Sequence, residues 1–278
     1  MGSEIRWLRK CPVLLQRALE PVRVIVLLPL RLWRRRGRRL RSELRRQQMI
    51  APVHLVEPID LAAVSRLEIQ KRLALSVEYI YAASVEGDVA EFGVNSGVTA
   101  AVLARSMKHF DEHNNNCTRQ KKLHLFDSFQ GLPRSINEVD LQSPHVASGT
   151  WGEGTCMTAL MGKDRVHEFC SSFFDVKRVA VYEGWFSDTL CQISPDIRFA
   201  LIHVDCDLYQ STKEVLWHCF SNQMLQNGSV VLFDDWNPNY ACPTLGQRRA
   251  WAEAVDHFDV NYSDCGEYGW GCRKFIVH

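Results

Sequence analysis

Acidic residues close five apolar runs in this chain: Glu91, Asp127, Glu183, Asp205 and the pair Asp234-Asp235. One or two of them, Asp127 and Asp235 above all, would serve as helix N-caps. Five in succession are not accounted for by capping alone. If each run is a strand of one parallel sheet, the acids share the rim where ligands bind, outside the carboxyl ends of the strands.

Two kinds of chemistry follow. Asp205, Asp234 and Asp235 brought together would repel one another and raise each other's pKa. A bound cation removes that penalty, and an all-oxygen set suits Mg²⁺ or Mn²⁺ better than zinc. A hydroxyl held at such an ion becomes more acidic, and Asp205 can accept its proton. Asp207 is expected instead to cap the helix entered through Ser211 and Thr212. On the other side, an acid ending a second strand is placed to receive a ribose diol, which is the role expected of Asp127. Glu91 and the Gly93–Gly97 turn would complete a nucleoside pocket, with Glu183-Gly184-Trp185-Phe186 as its aromatic wall. Gly93 and Gly97 permit positive φ, and the helix after Gly97 directs free N–H groups back at a ligand. The spacing acidic-x-Gly-x-x-x-Gly is not the Gly-x-Gly-x-x-Gly fingerprint. It points away from a pyrophosphate and argues against a nicotinamide-dependent dehydrogenase.

Those residues need an alternating scaffold. Strands are expected over 88–93, 122–127, 178–183, 198–205 and 229–234, the last entered by a turn at Asn227-Gly228, with a final strand over 273–277. Helices are expected from Asp60 to about 83, with Leu61, Val64, Leu67, Leu75 and Ile80 among the apolar positions, and over 97–110, 163–174, 211–225 and 245–258. This pattern predicts a doubly wound, mostly parallel α/β sheet with helices on both faces. Residues 128–155 lack clear periodicity, and a loop this long inside a compact domain is usually a functional lid. Within it His145 and Trp151 are placed to contact an acceptor or, as isolated loop residues, to be ordinary surface, the expected outcome; His203, inside a strand, is expected to be buried and hydrogen-bonded.

The chain has 278 residues, 46% of them hydrophobic, enough for one large α/β domain over 51–278 and a basic arm over 1–50. Residues 1–46 hold 14 Lys and Arg against 3 acids. Three readings of the arm stand side by side: a solvated basic tail, a segment lying on an anionic membrane surface, and a nucleic-acid contact, disfavoured by the acidic body. Its apolar run is too short to span a membrane. Ten cysteines without a Cys-x-x-Cys pair suggest reduced core residues in a reducing, cytoplasmic setting rather than a disulfide framework or a zinc site.

The motifs Ala90-Glu91-Phe92-Gly93-Val94, Leu123-His124-Leu125-Phe126-Asp127-Ser128-Phe129-Gln130-Gly131-Leu132-Pro133, Gly184-Trp185-Phe186-Ser187-Asp188-Thr189-Leu190, His203-Val204-Asp205-Cys206-Asp207-Leu208-Tyr209-Gln210-Ser211-Thr212 and Asp234-Asp235 occur in order over about 86–255. As a set this resembles the macrocin O-methyltransferase (TylF/MycF) family of class I S-adenosylmethionine-dependent methyltransferases. The resemblance implies S-adenosylmethionine as methyl donor, Mg²⁺ or Mn²⁺, and a hydroxyl of a sugar or glycosylated natural product as acceptor. It implies donor binding by Glu91, Gly93, Asn95, Gly97, Asp127, Ser128, Glu183 and Trp185. Asp205, Asp234 and Asp235 would be metal ligands, with Asp205 also the base. Residues 1–50 have no counterpart in the family pattern, and 134–158 match it poorly. Partners expected are a polyhydroxylated small molecule and no nucleic acid, with homo-oligomerisation and peripheral membrane contact through the arm as open alternatives. A non-catalytic methyltransferase-like module tethered by the arm is the rival reading.

Overall fold

The computed structural model describes residues 60–113, 120–157 and 162–278, so the expectations for the basic arm lie outside the described residues. Asp60–His278 forms a compact unit. Its first element is helix α1, Leu61–Ala82, and Asp60 caps it as expected, accepting the Ala63 N–H at 2.9 Å. The buried stripe of α1 is Leu73, Val77, Ile80 and Tyr81. That spacing is one helical face. Val64, Leu67 and Leu75, expected among the apolar positions, are exposed.

The sheet follows: β1 Asp88–Phe92, β2 Leu123–Asp127, β3 Val179–Glu183, β4 Phe199–Val204, β5 Leu225–Phe233, β6 Tyr262–Glu267 and β7 Arg273–Val277. In space the order is β3-β2-β1-β4-β5-β7-β6. The first five strands are parallel; β7 runs antiparallel to β5, and β6 to β7. Connecting these strands are α2 Val98–His113, α3 Glu138–Leu141, α4 Pro144–Ala147, α5 Lys163–Ser171, α6 Phe186–Thr189, α7 Tyr209–Ser221 and α8 Gly246–His257. Parallel strands need crossover connections, and helices supply them.

The pleat divides the core into two layers. Val89, Leu123, Leu125, Leu201 and Leu232 pack with α1, α2 and α5. Their strand neighbours Ala90, Phe92, Phe126, Ile202 and Phe233 pack with α7 and α8 on the opposite face. Both faces are therefore covered, as the near-continuous apolar runs of a parallel sheet require.

Two expectations are corrected. Asn227-Gly228 is not a turn before β5 but lies inside it, where the register against β4 shifts and Gly228 takes φ +90°. Strand β6 was not expected, since Tyr-Ser-Asp-Cys-Gly-Glu is polar and largely exposed at the sheet edge. Polar residues on an edge strand block pairing with other chains. Among the described residues no helix is long and apolar enough to cross a membrane. The eight described cysteines are all free, yet only Cys170, Cys206, Cys219 and Cys272 are buried, fewer than a core role for all of them demands.

Candidate active site

At the tip of β1 the chain makes a tight turn whose shape is set by its neighbours. Gly93 has φ +91°, and a Cβ there would sit 1.6 Å from the Asp205 carbonyl oxygen. Glycine is thus demanded by the approach of the chain leaving β4. Asp127, at the tip of β2, holds the turn: its Oδ2 accepts the N–H groups of Val94 and Asn95, each at 2.7 Å. Its Oδ1 accepts the Phe129 N–H at 2.6 Å. Sequence reasoning assigned Asp127 to a ribose, but in the structure its first task is to fix the backbone of the turn.

Beside this turn opens a cavity of 760 Å³, within the size range of small-molecule sites. Of the expected donor-binding residues, Gly93, Asn95, Asp127, Ser128 and Trp185 line it. Glu91, Gly97 and Glu183 do not. Glu91 lies in the pleat on the same face as Val89, fully buried, and its Oε1 is 2.9 Å from His203 Nδ1 on β4. Gly97 has φ +77°, and a Cβ there would lie 3.4 Å from Val166 of α5, so the bare backbone leaves room for helix packing. Glu183 is exposed at the tip of β3; the two residues after it, Gly184 and Trp185, form the wall.

The rest of the cavity lining is rich in acids. Asp205, Asp207, Asp234 and Asp235 all line it, from the tips of β4 and β5. Burial, then the charge of Asp234, pushes Asp205 well above the usual carboxylate range. Asp235 is also raised well above it, by burial and by Asp207, Asp205 and Asp234. Asp207 is pushed to about 7 by burial and the Asp234 charge. Burial alone would raise Asp234 too, but His203 outweighs it and holds Asp234 below its ordinary value. Burial opposes the charging of His203, and Asp234 with Glu91 overcomes that, so its pKa rises. The separation of His203 Nε2 from Asp234 Oδ1 is 3.9 Å, that of an ion pair rather than a hydrogen bond. Cys272 Sγ donates to the same oxygen at 3.2 Å. His203 is therefore the buried, hydrogen-bonded residue that its place in a strand suggested.

The chemistry of this donor set suits a hard divalent cation: several carboxylates, mutually repelling, on one wall. The side-chain positions do not yet converge on one. Among the described residues, no three acidic, imidazole or thiol groups are close enough to hold a metal ion together. Asp205, Asp234 and Asp235, the expected metal ligands, all face this one cavity.

The segment expected to be a structureless lid contains α3 and α4 and is tied at its neck, where Leu132 N–H reaches Thr155 O and Gly154 N–H reaches Leu132 O, both at 2.9 Å. Trp151 is its small core, packed on Leu132 and Leu208 and against the His145 ring at 4.6 Å. Neither Trp151 nor its packing is surface character, contrary to expectation, and neither Trp151 nor His145 lines the cavity.

Sequence reasoning missed two residues here. Asp140 of α3 is buried, lines the cavity, and accepts the Tyr209 and Gln210 N–H groups at 2.8 and 3.1 Å. It, not Asp207, caps α7; Asp207 takes φ +57° and its N–H donates to Asp235 Oδ2 at 3.2 Å. Asn239 is buried and accepts the Ser143 hydroxyl at 2.6 Å. It opens three consecutive left-handed residues, Asn239, Tyr240 and Ala241. No local signal marks Asp140 as a cap, since its partner lies 69 residues onward.

A comparison with known proteins matches this geometry to a family. Two relatives are similar over part of their length. One is the mycinamicin III 3''-O-methyltransferase of Micromonospora griseorubida, 29% identical over 154 residues, 55% of this chain and 56% of the relative. The other is the 8-demethyl-8-(2,3-dimethoxy-alpha-L-rhamnosyl)-tetracenomycin-C 4'-O-methyltransferase of Streptomyces olivaceus, 28% identical over 168 residues, 59% of this chain and 58% of the relative. The chain thus spans little more than half the length of these relatives. Among solved structures, CalS11, a calicheamicin methyltransferase, has a TM-score of 0.61 at 21% identity, covering 84% of this chain and 90% of that one. The O-methyltransferase NovP has 0.58 at 22%, covering 75% and 79%. These two likenesses are likenesses of fold. The model of the macrocin-O-methyltransferase (TylF) family matches residues 59–257, from the start of α1 to the end of α8, and this chain belongs to that family.

Proposed function

We propose that this chain transfers a methyl group from S-adenosylmethionine to a hydroxyl of a sugar-containing small molecule, in a cytoplasmic setting, with Mg²⁺ or Mn²⁺ as its metal. The observation that carries the reading is the joining, in one cavity, of a fixed glycine turn and an acidic wall within a chain of this family. One relative bears a rhamnosyl group in its name and both are O-methyltransferases. The charged lining of the cavity is eight acids and one base, Arg134. That balance favours an uncharged, polyhydroxylated acceptor over a phosphorylated one.

Gly93, Asn95, Asp127, Ser128 and Trp185 fit the donor: a rigid turn, a carboxylate with spare lone pairs beside it, and an aromatic wall. When bound, S-adenosylmethionine supplies a methyl group already activated on a sulfonium. Asp205, Asp234 and Asp235 would hold the metal, which when bound supplies the positive charge that their mutual repulsion calls for. Asp205 takes the proton of the acceptor hydroxyl. His203 keeps Asp234 ionised beside it. The seated segment 128–155 excludes water, and the chain's main contribution is alignment of the acceptor oxygen with the methyl group.

The test is calorimetry with S-adenosylmethionine, with and without Mg²⁺, followed by methyl transfer to glycosides. Donor binding in either condition is expected; its absence in both overturns the reading. For the metal, Asp234→Asn with Asp235→Asn is expected to abolish transfer while donor binding persists. Full activity of that double variant under chelation rules the metal role out.

A further inference from the structure

Helix α7 begins immediately after the Asp205–Leu208 loop, and its N-terminus has no cap of its own: the N-cap residue is Leu208, whose side chain accepts nothing. Four N–H groups at such an end need acceptors. Asp140 supplies acceptors for two of them from the lid, taking the Tyr209 and Gln210 N–H groups. Three residues before it, Asn137 Nδ2 donates to Gln210 Oε1 at 3.1 Å. Three residues after it, Ser143 Oγ donates to Asn239 Oδ1, which follows the Asp234-Asp235 pair. One short segment therefore touches the chain beyond both acidic loops. The loop it steadies is strained: Asp207 is left-handed, a conformation costly for a residue with a side chain.

We infer that Asp140 is a positioning residue, capping α7 from the lid so that the Asp205–Asp207 loop is set for proton acceptance only while the lid is seated. Closure over a substrate and assembly of the acidic wall then become one event. The part of this inference that concerns turnover rests on the methyl-transfer reading; the capping does not.

Hydrogen exchange on the full chain decides the capping. Asp140→Ala is expected to speed exchange of the Tyr209–Thr212 amides on the order of tenfold, the effect of losing a good cap. Asp140→Asn, which keeps an acceptor oxygen, should show much less, and Glu138→Gln, exposed on the same turn of α3, none. S-adenosylhomocysteine should slow exchange in 137–143 and 209–212 together in the wild type. In steady-state assays Asp140→Ala should lower kcat and raise KM for the acceptor while the donor Kd stays put, with Asp140→Asn restoring most of kcat. Exchange in Asp140→Ala no faster than in Glu138→Gln overturns the inference. So does a parallel loss of kcat and donor binding in both Asp140 variants. If Asp140→Ala does not fold, the wild type carries the test: S-adenosylhomocysteine must slow exchange in 137–143 and 209–212 together, and slowing in one segment alone overturns the inference. A chain that binds no donor overturns the methyl-transfer reading, while the exchange comparison still decides the cap.

Discussion

Where the strands begin, Arg178 donates to Asp111 at 2.7 Å and to the Lys121 carbonyl through Nε and Nη2 at 2.9 and 2.6 Å. Tyr81 donates to the other Asp111 oxygen at 2.7 Å, and Lys121 Nζ reaches the carbonyls of Val85 and Gly87. Asp88 receives the Lys122 N–H and lies 3.2 Å from His124. Where the strands end, Asp205, Asp207, Asp234 and Asp235 face a cavity, and His203 stands behind them as a cationic partner. The first end is paired and hydrogen-bonded; the second leaves like charges facing one another. Charge satisfied by its neighbours holds a fold together. Charge left over waits for something that arrives later, and an active site is where such imbalance is kept.

Neutralising the acidic end should be the most telling break. Asp205→Asn is expected to lower methyl transfer on the order of a thousandfold, while thermal unfolding shows equal or higher stability because a repulsion has gone. Breaking the paired end should do the reverse. Arg178→Ala leaves the largely covered Asp111 with Tyr81 but no cation and should cost about 3 kcal/mol in denaturant unfolding, with activity per folded molecule retained.

The pH response separates the two behaviours further. Asp207 in the fold is raised to about 7, so the folded chain holds a proton that the unfolded chain releases nearer 4. Stability from this group is fully present below about 4 and is lost as pH rises through about 7. Urea titrations of the ligand-free chain at pH 5 and pH 8 should show it, and Asp207→Asn should reduce it, since Asp205 and Asp235 are raised in the same direction. Glu253 gives the opposite sign: its pairing with Tyr209, Arg249 and Lys213 outweighs burial and holds it at about 2. Its contribution is present above about 4.5 and fades as pH falls through about 2. Because Glu253 is half-buried and its partners are partly open to water, Glu253→Gln is the smallest effect, about 0.5 kcal/mol and weaker in high salt.

Much of this was legible in the sequence. The parallel strands were readable because buried strands are continuous apolar runs, and their acidic ends followed from where those runs stop. Side-chain direction was harder. Glu91 sits one residue before the strand end, and the pleat turns it into the helix layer, where His203 on the adjacent strand receives it. A linear reading places an acid near a tip but cannot say which face it takes without the register. The capping of α7 was misassigned for a related reason: Asp207 is close in sequence, whereas Asp140 is close in space. Trp151 was taken for surface because its partners, Leu132 and Leu208, belong to separate segments. Strand β6 escaped because an edge strand needs no apolar alternation.

The absence of room for a Cβ at Gly93, 1.6 Å from the Asp205 carbonyl oxygen, has an evolutionary corollary. With the backbones of two loops wedged this tightly, natural drift has almost no freedom to reshape that corner, since any substituent would push Asp205 out of line. On the methyl-transfer reading proposed above, acceptor choice would be written instead in the stretch from Arg134 to Cys156, which lines the opening. Grafting that stretch between homologues is the direct way to change which acceptor is taken.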